Sequence, residues 1–230
     1  MAVARLLAEE ELDGLRQFDT CMVANAAETF NLRVRNTGFA DASTECMFPD
    51  APMVGYAATA RLRSGEPPIN GGTIHDRTDL WNSILEVPVP CTRVLEDIDD
   101  PPGRGALLGD DTCSYFGGWC IGYLTSGAMC ELPSVRMMGF HLFSGSVAVS
   151  HAYAHIFEIG APISLGGVEV RPGDLLHGDP HGVRTVPKEI AGEIPGVAAG
   201  LQSAERKVIE FCRSSSFSVG KLDEVMKTLL

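Results

Sequence analysis

The stretch Leu165-Gly-Gly-Val-Glu-Val-Arg-Pro-Gly-Asp-Leu-Leu-His-Gly-Asp-Pro-His-Gly-Val-Arg-Thr-Val-Pro187 decides the architecture. Its Gly166-Gly167 pair reads as a turn, and Val168-Glu169-Val170 as a short extended segment leading into the turn Arg171-Pro172-Gly173-Asp174. Leu175-Leu176-His177 resumes an apolar run, and Gly182 to Pro187 reads as a late strand. His177, Asp179 and His181 alternate, and alternate residues of an extended segment point the same way. Imidazole and carboxylate together can bind a transition metal. Loop histidines beside an Asp can equally satisfy turn hydrogen bonds.

Outward from this stretch, helices and strands mix. Leu7, Leu12, Leu15 and Phe18 fall near one helical face, and Asp19 is the expected N-cap of a second helix over 20–30. Residues 31–52 read as irregular, 53–62 as a strand and 64–78 as loop. Thr78 is the expected cap of a short helix carrying Leu80, Trp81, Ile84 and Leu85. A strand over 92–98 is stopped by Asp99-Asp100-Pro101-Pro102-Gly103, because prolines cannot donate to a ladder. A turn near Gly109, a helix over 110–117, a strand over 121–125 closed by Ser126-Gly127, and another over 139–143 follow. His151 and His155 would share a face on a helix but lack the intervening Glu of a zincin. Helices over 195–213 and 220–230 end the chain. Without a repeat, low-complexity tract or linker, 230 residues read as one α/β domain with a terminal helical extension.

Composition narrows the function. Eighteen basic against 30 acidic residues give a net charge of −12, which disfavours nucleic acid and anionic membrane surfaces as partners. No apolar run approaches the roughly 18–20 residues of a membrane helix, and the short apolar start meets Glu9-Glu10-Glu11. Seven cysteines at irregular spacing, with no CxxC pair, predict reduced thiols and a cytoplasmic location. Phosphate-binding glycine loops and the GxSxG elbow are missing. The acids Asp97, Asp99, Asp100, Asp110 and Asp111 could serve a hard cation such as Mg²⁺, or simply form a solvated loop.

The pattern Gly-Val-x-Val-x-Pro-Gly-Asp, then Asp-x-x-Gly-Val-x-x-x-Pro, resembles the late segment of the RraA-like family. Asp19-Thr20-Cys21-Met22-Val23-Ala24, Gly105-Ala106-Leu107-Leu108-Gly109-Asp110 and Gly122-Tyr-Leu-Thr-Ser-Gly127-Ala128 resemble its early and central parts. The likeness spans roughly residues 12–190 of a single domain over 1–230, leaving about 191–230 as the helical extension. The family includes 4-hydroxy-4-methyl-2-oxoglutarate aldolases, which also decarboxylate oxaloacetate, and regulators of RNase E. The resemblance implies a swivelling β/β/α fold, a homotrimer or hexamer with sites between subunits, and a small-molecule substrate. It also implies a divalent metal, Mg²⁺ or Mn²⁺, that stabilises the enolate left when a carbon–carbon bond breaks.

The family's aldolase motif is an acidic residue, twenty others, then Arg-Asp. The two acids hold the metal, backbone N–H groups after the first acid face the keto acid, and the Arg clamps its carboxylate. Here the matching pieces are Asp110, nineteen others, then Cys130-Glu131. Asp110 and Glu131 are therefore the expected metal and catalytic residues, with Gly109, Asp111, Thr112 and Cys130 lining the substrate. Cys130 cannot clamp a carboxylate, and Asp111 adds charge where the family is usually apolar. The resemblance implies −1 from the family's side chains, against −3 here if Asp110, Asp111 and Glu131 are ionised. Two readings follow. One is a metal-dependent aldolase- or decarboxylase-type lyase on a less anionic keto compound, or an isomerase or cyclase using the same enolate chemistry. The other is a non-catalytic relative that binds a protein partner. A methyltransferase lacks its glycine-rich loop.

Overall fold

The strands at the centre are buried almost end to end, as expected where both faces of a parallel sheet are covered. The computed structural model describes residues 6–48, 51–69, 75–107 and 119–229. Strands β2 (Met53–Arg63), β3 (Cys91–Asp97), β4 (Cys120–Met129) and β5 (His141–Val147) run parallel, side by side. The two-residue β1 (Glu45–Cys46) edges β5. The other side of β2 pairs antiparallel with β9 (Leu175–Asp179) near its start and with β6 (His155–Ile159) near its end, and β10 (Gly182–Val186) continues from β9. The sheet curls into a nearly closed, barrel-like layer, with helices at both chain ends, the mixed α/β architecture expected from the sequence.

Three apolar clusters fix this arrangement. Helices α1 (Glu9–Arg16), α2 (Thr20–Glu28) and α5 (Ile194–Arg213) bury Leu12, Leu15, Val23, Ala26 and Ala198 against Val54, Tyr56 and Leu175. The hairpin β7 (Ile163–Leu165) and β8 (Val168–Val170) covers Met53, Val94, Leu124 and Phe143. The third cluster holds α3 (Arg77–Asn82) and α4 (Leu132–Met137) against β3 and β4 through Leu80, Val135 and Tyr123. Asp19 caps α2 as expected, accepting from Met22 N at 2.7 Å. The final helix, α6, covers Val219–Leu229.

Three expectations need correction. The short helix is capped by Asp76, which accepts from Asp79 N at 2.8 Å, so Thr78 lies inside it. A carboxylate is the stronger acceptor for the orphan N–H groups there. Strand β4 does not stop at Ser126-Gly127 but runs on to Met129, a register shift between Thr125 and Ala128 absorbing the pair. Cys91 and Cys120 are not free thiols. They stand opposite each other in the parallel β3–β4 register, 4.4 Å apart at Cα, and form a disulfide. A separation of 29 residues hides that pairing from the sequence, whereas parallel register creates it.

Candidate functional site

All four parallel strands end on the same edge of the sheet, the side where open α/β sheets bind ligands. The acids of β3 are consumed there by the fold. Asp97, 5% exposed, accepts from Ser64 Oγ (3.0 Å) and Gly103 N (2.8 Å) through one oxygen and from Asp99 N through the other. Asp99 accepts from the backbone N–H groups of Ser64 and Gly65 at 2.7 and 2.6 Å. Burial pushes the Asp99 carboxyl up, but these bonds outweigh it and hold it below the usual carboxylate range. Of the acidic cluster, Asp97 and Asp99 thus tie the strand ends together.

Beside them β4 delivers Cys130 and Glu131. Glu131 is exposed and adopts φ 55°, ψ 34°, a left-handed conformation unusual for a residue with a side chain. The sharp bend turns the strand into α4, and the Glu131 carbonyl accepts the first helical bonds from Ser134 N and Val135 N. Its carboxylate makes no cap bond to that helix; the half-buried Cys130 Sγ lies 3.9 Å from Oε2. Gly109, Asp110, Asp111 and Thr112, the other expected site residues, lie outside the described residues, as does the helix expected over 110–117. The chain leading to them runs alongside β4: Ala106 pairs parallel with Ala128, two residues before Cys130.

Two arginines could stand in for the missing guanidinium. Arg104 is exposed beside Gly65 and Asp99, its Cδ 3.1 Å from where a Cβ on Gly65 would sit. Arg136 lies over the Phe48 ring, 5.8 Å from its centroid. Among the described residues no group of three or more His, Cys, Asp or Glu is placed to hold a metal ion.

The histidines take the structural role. His177 is wholly buried between Thr20 Oγ1 (2.9 Å from Nδ1) and the Leu15 carbonyl (3.2 Å from Nε2). A carbonyl can only accept, so Nε2 carries the proton and Nδ1 accepts from Thr20. Burial pushes the His177 pKa down against the pull of Leu15 and Asp179. Asp179 accepts from Thr20 N (2.7 Å) and from His181 N (2.8 Å). Burial raises its carboxyl, but these bonds prevail and lower it. His177, Asp179 and Thr20 therefore lock α2 to β9. His151 lies in a loop with Nδ1 2.9 Å from the Ala106 carbonyl, and His155 begins β6, so they share no helix face.

Sequence reasoning passed over one group. Arg33 and Arg35, before β1, meet Arg184 of β10 around a partly open cavity. These residues are far apart in the chain and follow no motif. The only signal was a charged residue at the centre of an otherwise apolar strand, Gly182-Val-Arg-Thr-Val186.

A family description, RraA-like (Aldolase/RraA), matches residues 20–184. A protein of Halalkalibacterium halodurans named "Putative 4-hydroxy-4-methyl-2-oxoglutarate aldolase" is 25% identical over 202 residues, 87% of this chain and 86% of that protein. Among solved structures, a Pseudomonas syringae pv. tomato protein superposes with a TM-score of 0.73 at 21% identity, covering 99% of each chain. Streptomyces coelicolor RraAS2, described as an unusual member of the RNase ES inhibitor RraA protein family, gives 0.68 at 21% identity over 87% of this chain and 97% of its own. At such identities these structures speak for the fold alone. No helix among the described residues is long and apolar enough to cross a membrane.

Proposed function

The chain belongs to the RraA-like family, and from that premise we propose that it is a divalent-metal-dependent carbon–carbon lyase, of aldolase or decarboxylase type, for a keto substrate less anionic than the family's dicarboxylates. The observation that carries this reading is Glu131: an exposed carboxylate at the carboxyl end of a parallel strand, kept in a left-handed conformation. Strained residues of this kind cluster at functional sites.

The donor chemistry suits a hard cation. Mg²⁺ and Mn²⁺ take carboxylate oxygens and are often held by one or two carboxylates with several waters retained. Glu131 supplies one such group and Asp110 is the expected second. Bound there, the ion would supply Lewis-acid stabilisation of the charge that develops on a keto oxygen as the neighbouring carbon–carbon bond breaks. The backbone N–H groups of Asp111 and Thr112, beside Gly109, would orient the keto acid. Cys130 offers no charge to a second carboxylate, so binding of a dicarboxylate loses its counter-ion. We place the complete site between subunits of a homotrimer or hexamer; a monomer by light scattering at micromolar concentration would contradict this assembly.

The test is metal-linked stability. A ligand at 100 times its Kd stabilises the folded state by about 2.7 kcal/mol. For a chain of this size that is roughly 5–10 °C in Tm. Mg²⁺ or Mn²⁺ should raise the Tm of the parent and not of Glu131→Ala. No shift in the parent would overturn the reading. Cys130 in the Arg position favours a second reading, a non-catalytic partner-binding relative. A metal-linked shift without turnover across a panel of keto acids and neutral β-keto compounds would support that one instead.

A further inference from the structure

Between the carboxyl end of α2, the segment 32–39 and β10 lies a partly open cavity of about 50 Å³, lined by Glu28, Arg33, Arg35, Phe39, Arg184 and Pro187 among others. We propose that this cavity binds a small oxyanion, inorganic phosphate or the carboxylate of a small acid, with Arg184 as its anchor.

Arg184 is the reason. It sits in the middle of β10, its backbone paired with His177 on one side and bridged to Phe39 on the other, and is 4% exposed. Its Nε is buried with no hydrogen-bond partner. Buried charges are normally paired, so a guanidinium with an orphaned N–H in the wall of a cavity asks for an acceptor. Burial, and then the neighbouring Arg33, lower its pKa to about 10, with Glu28 pulling the other way. It remains a cation at neutral pH.

The neighbours make the space electropositive. Arg33 donates through Nη1 to Thr185 Oγ1 at 2.9 Å and through Nη2 to the Thr185 carbonyl, which fixes its fork beside Arg184. Gly38, at φ 84°, makes room for it: a Cβ there would lie 2.1 Å from Arg33 Nη1. Arg35 is mostly exposed at the mouth and reaches Glu28 at 3.5 Å. Three guanidiniums thus face one carboxylate in a protein of net charge −12. Capping of α2 does not explain them. The last α2 carbonyls are taken by Thr29 N, Phe30 N and Asn31 N, not by arginines.

Shape selects the ligand. The cavity holds roughly four water-sized groups, the number of oxygens on a tetrahedral oxyanion. Planar guanidinium forks match carboxylate and phosphate oxygens two at a time. Neither Cys130 nor Glu131 lines this cavity, so the site is separate from that edge.

The experiment is calorimetric titration of the full chain without divalent metal, at constant ionic strength with chloride as background, using phosphate in one arm and acetate and pyruvate in the other. Saturable binding in either arm is expected, and the arm that saturates identifies the source. Arg184→Met should weaken it about ten- to hundredfold, as loss of a charge-assisted pair does. Arg184→Met should still fold, because it removes a buried unpaired charge and keeps most of the volume. Arg35→Gln, at the exposed mouth, should weaken binding several-fold with no loss of fold. Glu131→Ala should bind the oxyanion like the parent, so failure of the lyase reading leaves this one testable. No saturable heat in either arm, or equal binding by the parent and Arg184→Met, would overturn the proposal.

Discussion

Glu131→Gly and Glu131→Ala separate what Glu131 does for the fold from what it does for chemistry. The backbone at φ 55°, ψ 34° is left-handed. That conformation costs a residue with a Cβ about 1–2 kcal/mol, and glycine almost nothing. The greater freedom of glycine in the unfolded chain takes back about 0.4–1 kcal/mol. The carboxylate makes no cap bond to α4, and its contact with Cys130 Sγ is long at 3.9 Å; both variants remove it, so its other contributions cancel between them. The main-chain bonds from Ser134 and Val135 to the Glu131 carbonyl survive both substitutions. Without metal, Glu131→Gly should therefore be more stable than Glu131→Ala by roughly 1 kcal/mol, or about 2–4 °C in Tm. Both should lose the metal-linked increment. Scanning calorimetry of the parent and both variants, with and without 5 mM EDTA or Mg²⁺ (on the order of millimolar excess over Kd), reads this directly. Glu131→Ala as stable as Glu131→Gly would refute the claim that the fold holds Glu131 against its backbone preference.

Pyruvate-forming cleavage of 4-hydroxy-4-methyl-2-oxoglutarate and oxaloacetate decarboxylation should be weak in the parent and rise in Cys130→Arg, each charge-assisted bond to the substrate being worth roughly 1.5–3 kcal/mol; robust turnover by the parent would show that Arg104 or Arg136 replaces the clamp. Stability should fall with pH in two windows. Burial lowers the His177 pKa, so its contribution is complete above about 6.5 and is lost as pH drops from there towards the folded value. The Asp179 carboxyl is also lowered, so its share is complete above about 3.9 and is lost below. A Tm that is flat from pH 7 to 5 would contradict the first. Thiol titration of denatured, unreduced protein should find five of the seven cysteines, Cys91 and Cys120 being joined; seven would restore the reduced-thiol expectation.

What the sequence revealed follows from what is local. Asp19 before an apolar run, the Arg171-Pro-Gly-Asp turn and the periodicity of 195–213 each involve a few neighbouring residues, and each appears in the structure within two residues of its expected place. What escaped depends on register. No local signal shows that Ser126-Gly127 continues a strand, because the bulge that absorbs it needs β5 alongside. The same holds for Cys91 meeting Cys120, and for Asp97 spending its oxygens on Ser64 and Gly103. The Cys130-Glu131 pair was legible only through family resemblance, and its left-handed backbone not at all.

These observations also bear on how charge is divided over the molecule. Guanidinium is missing at Cys130, where the family resemblance places it, yet three guanidiniums, Arg33, Arg35 and Arg184, gather at the far end of α2. A chain with 18 basic side chains among 30 acids has few cations to spare. Burying one without a partner is costly unless an anion visits. The two proposals stand apart. An oxyanion held by Arg184 leaves the Cys130-Glu131 edge unchanged, and a dicarboxylate bound there still lacks its guanidinium, so a neutral or singly charged keto compound suits that edge whatever the cavity holds. A dicarboxylate that binds tightly through the Glu131 edge, in the parent and in Arg184→Met alike, would contradict the lyase reading and leave the oxyanion site untouched.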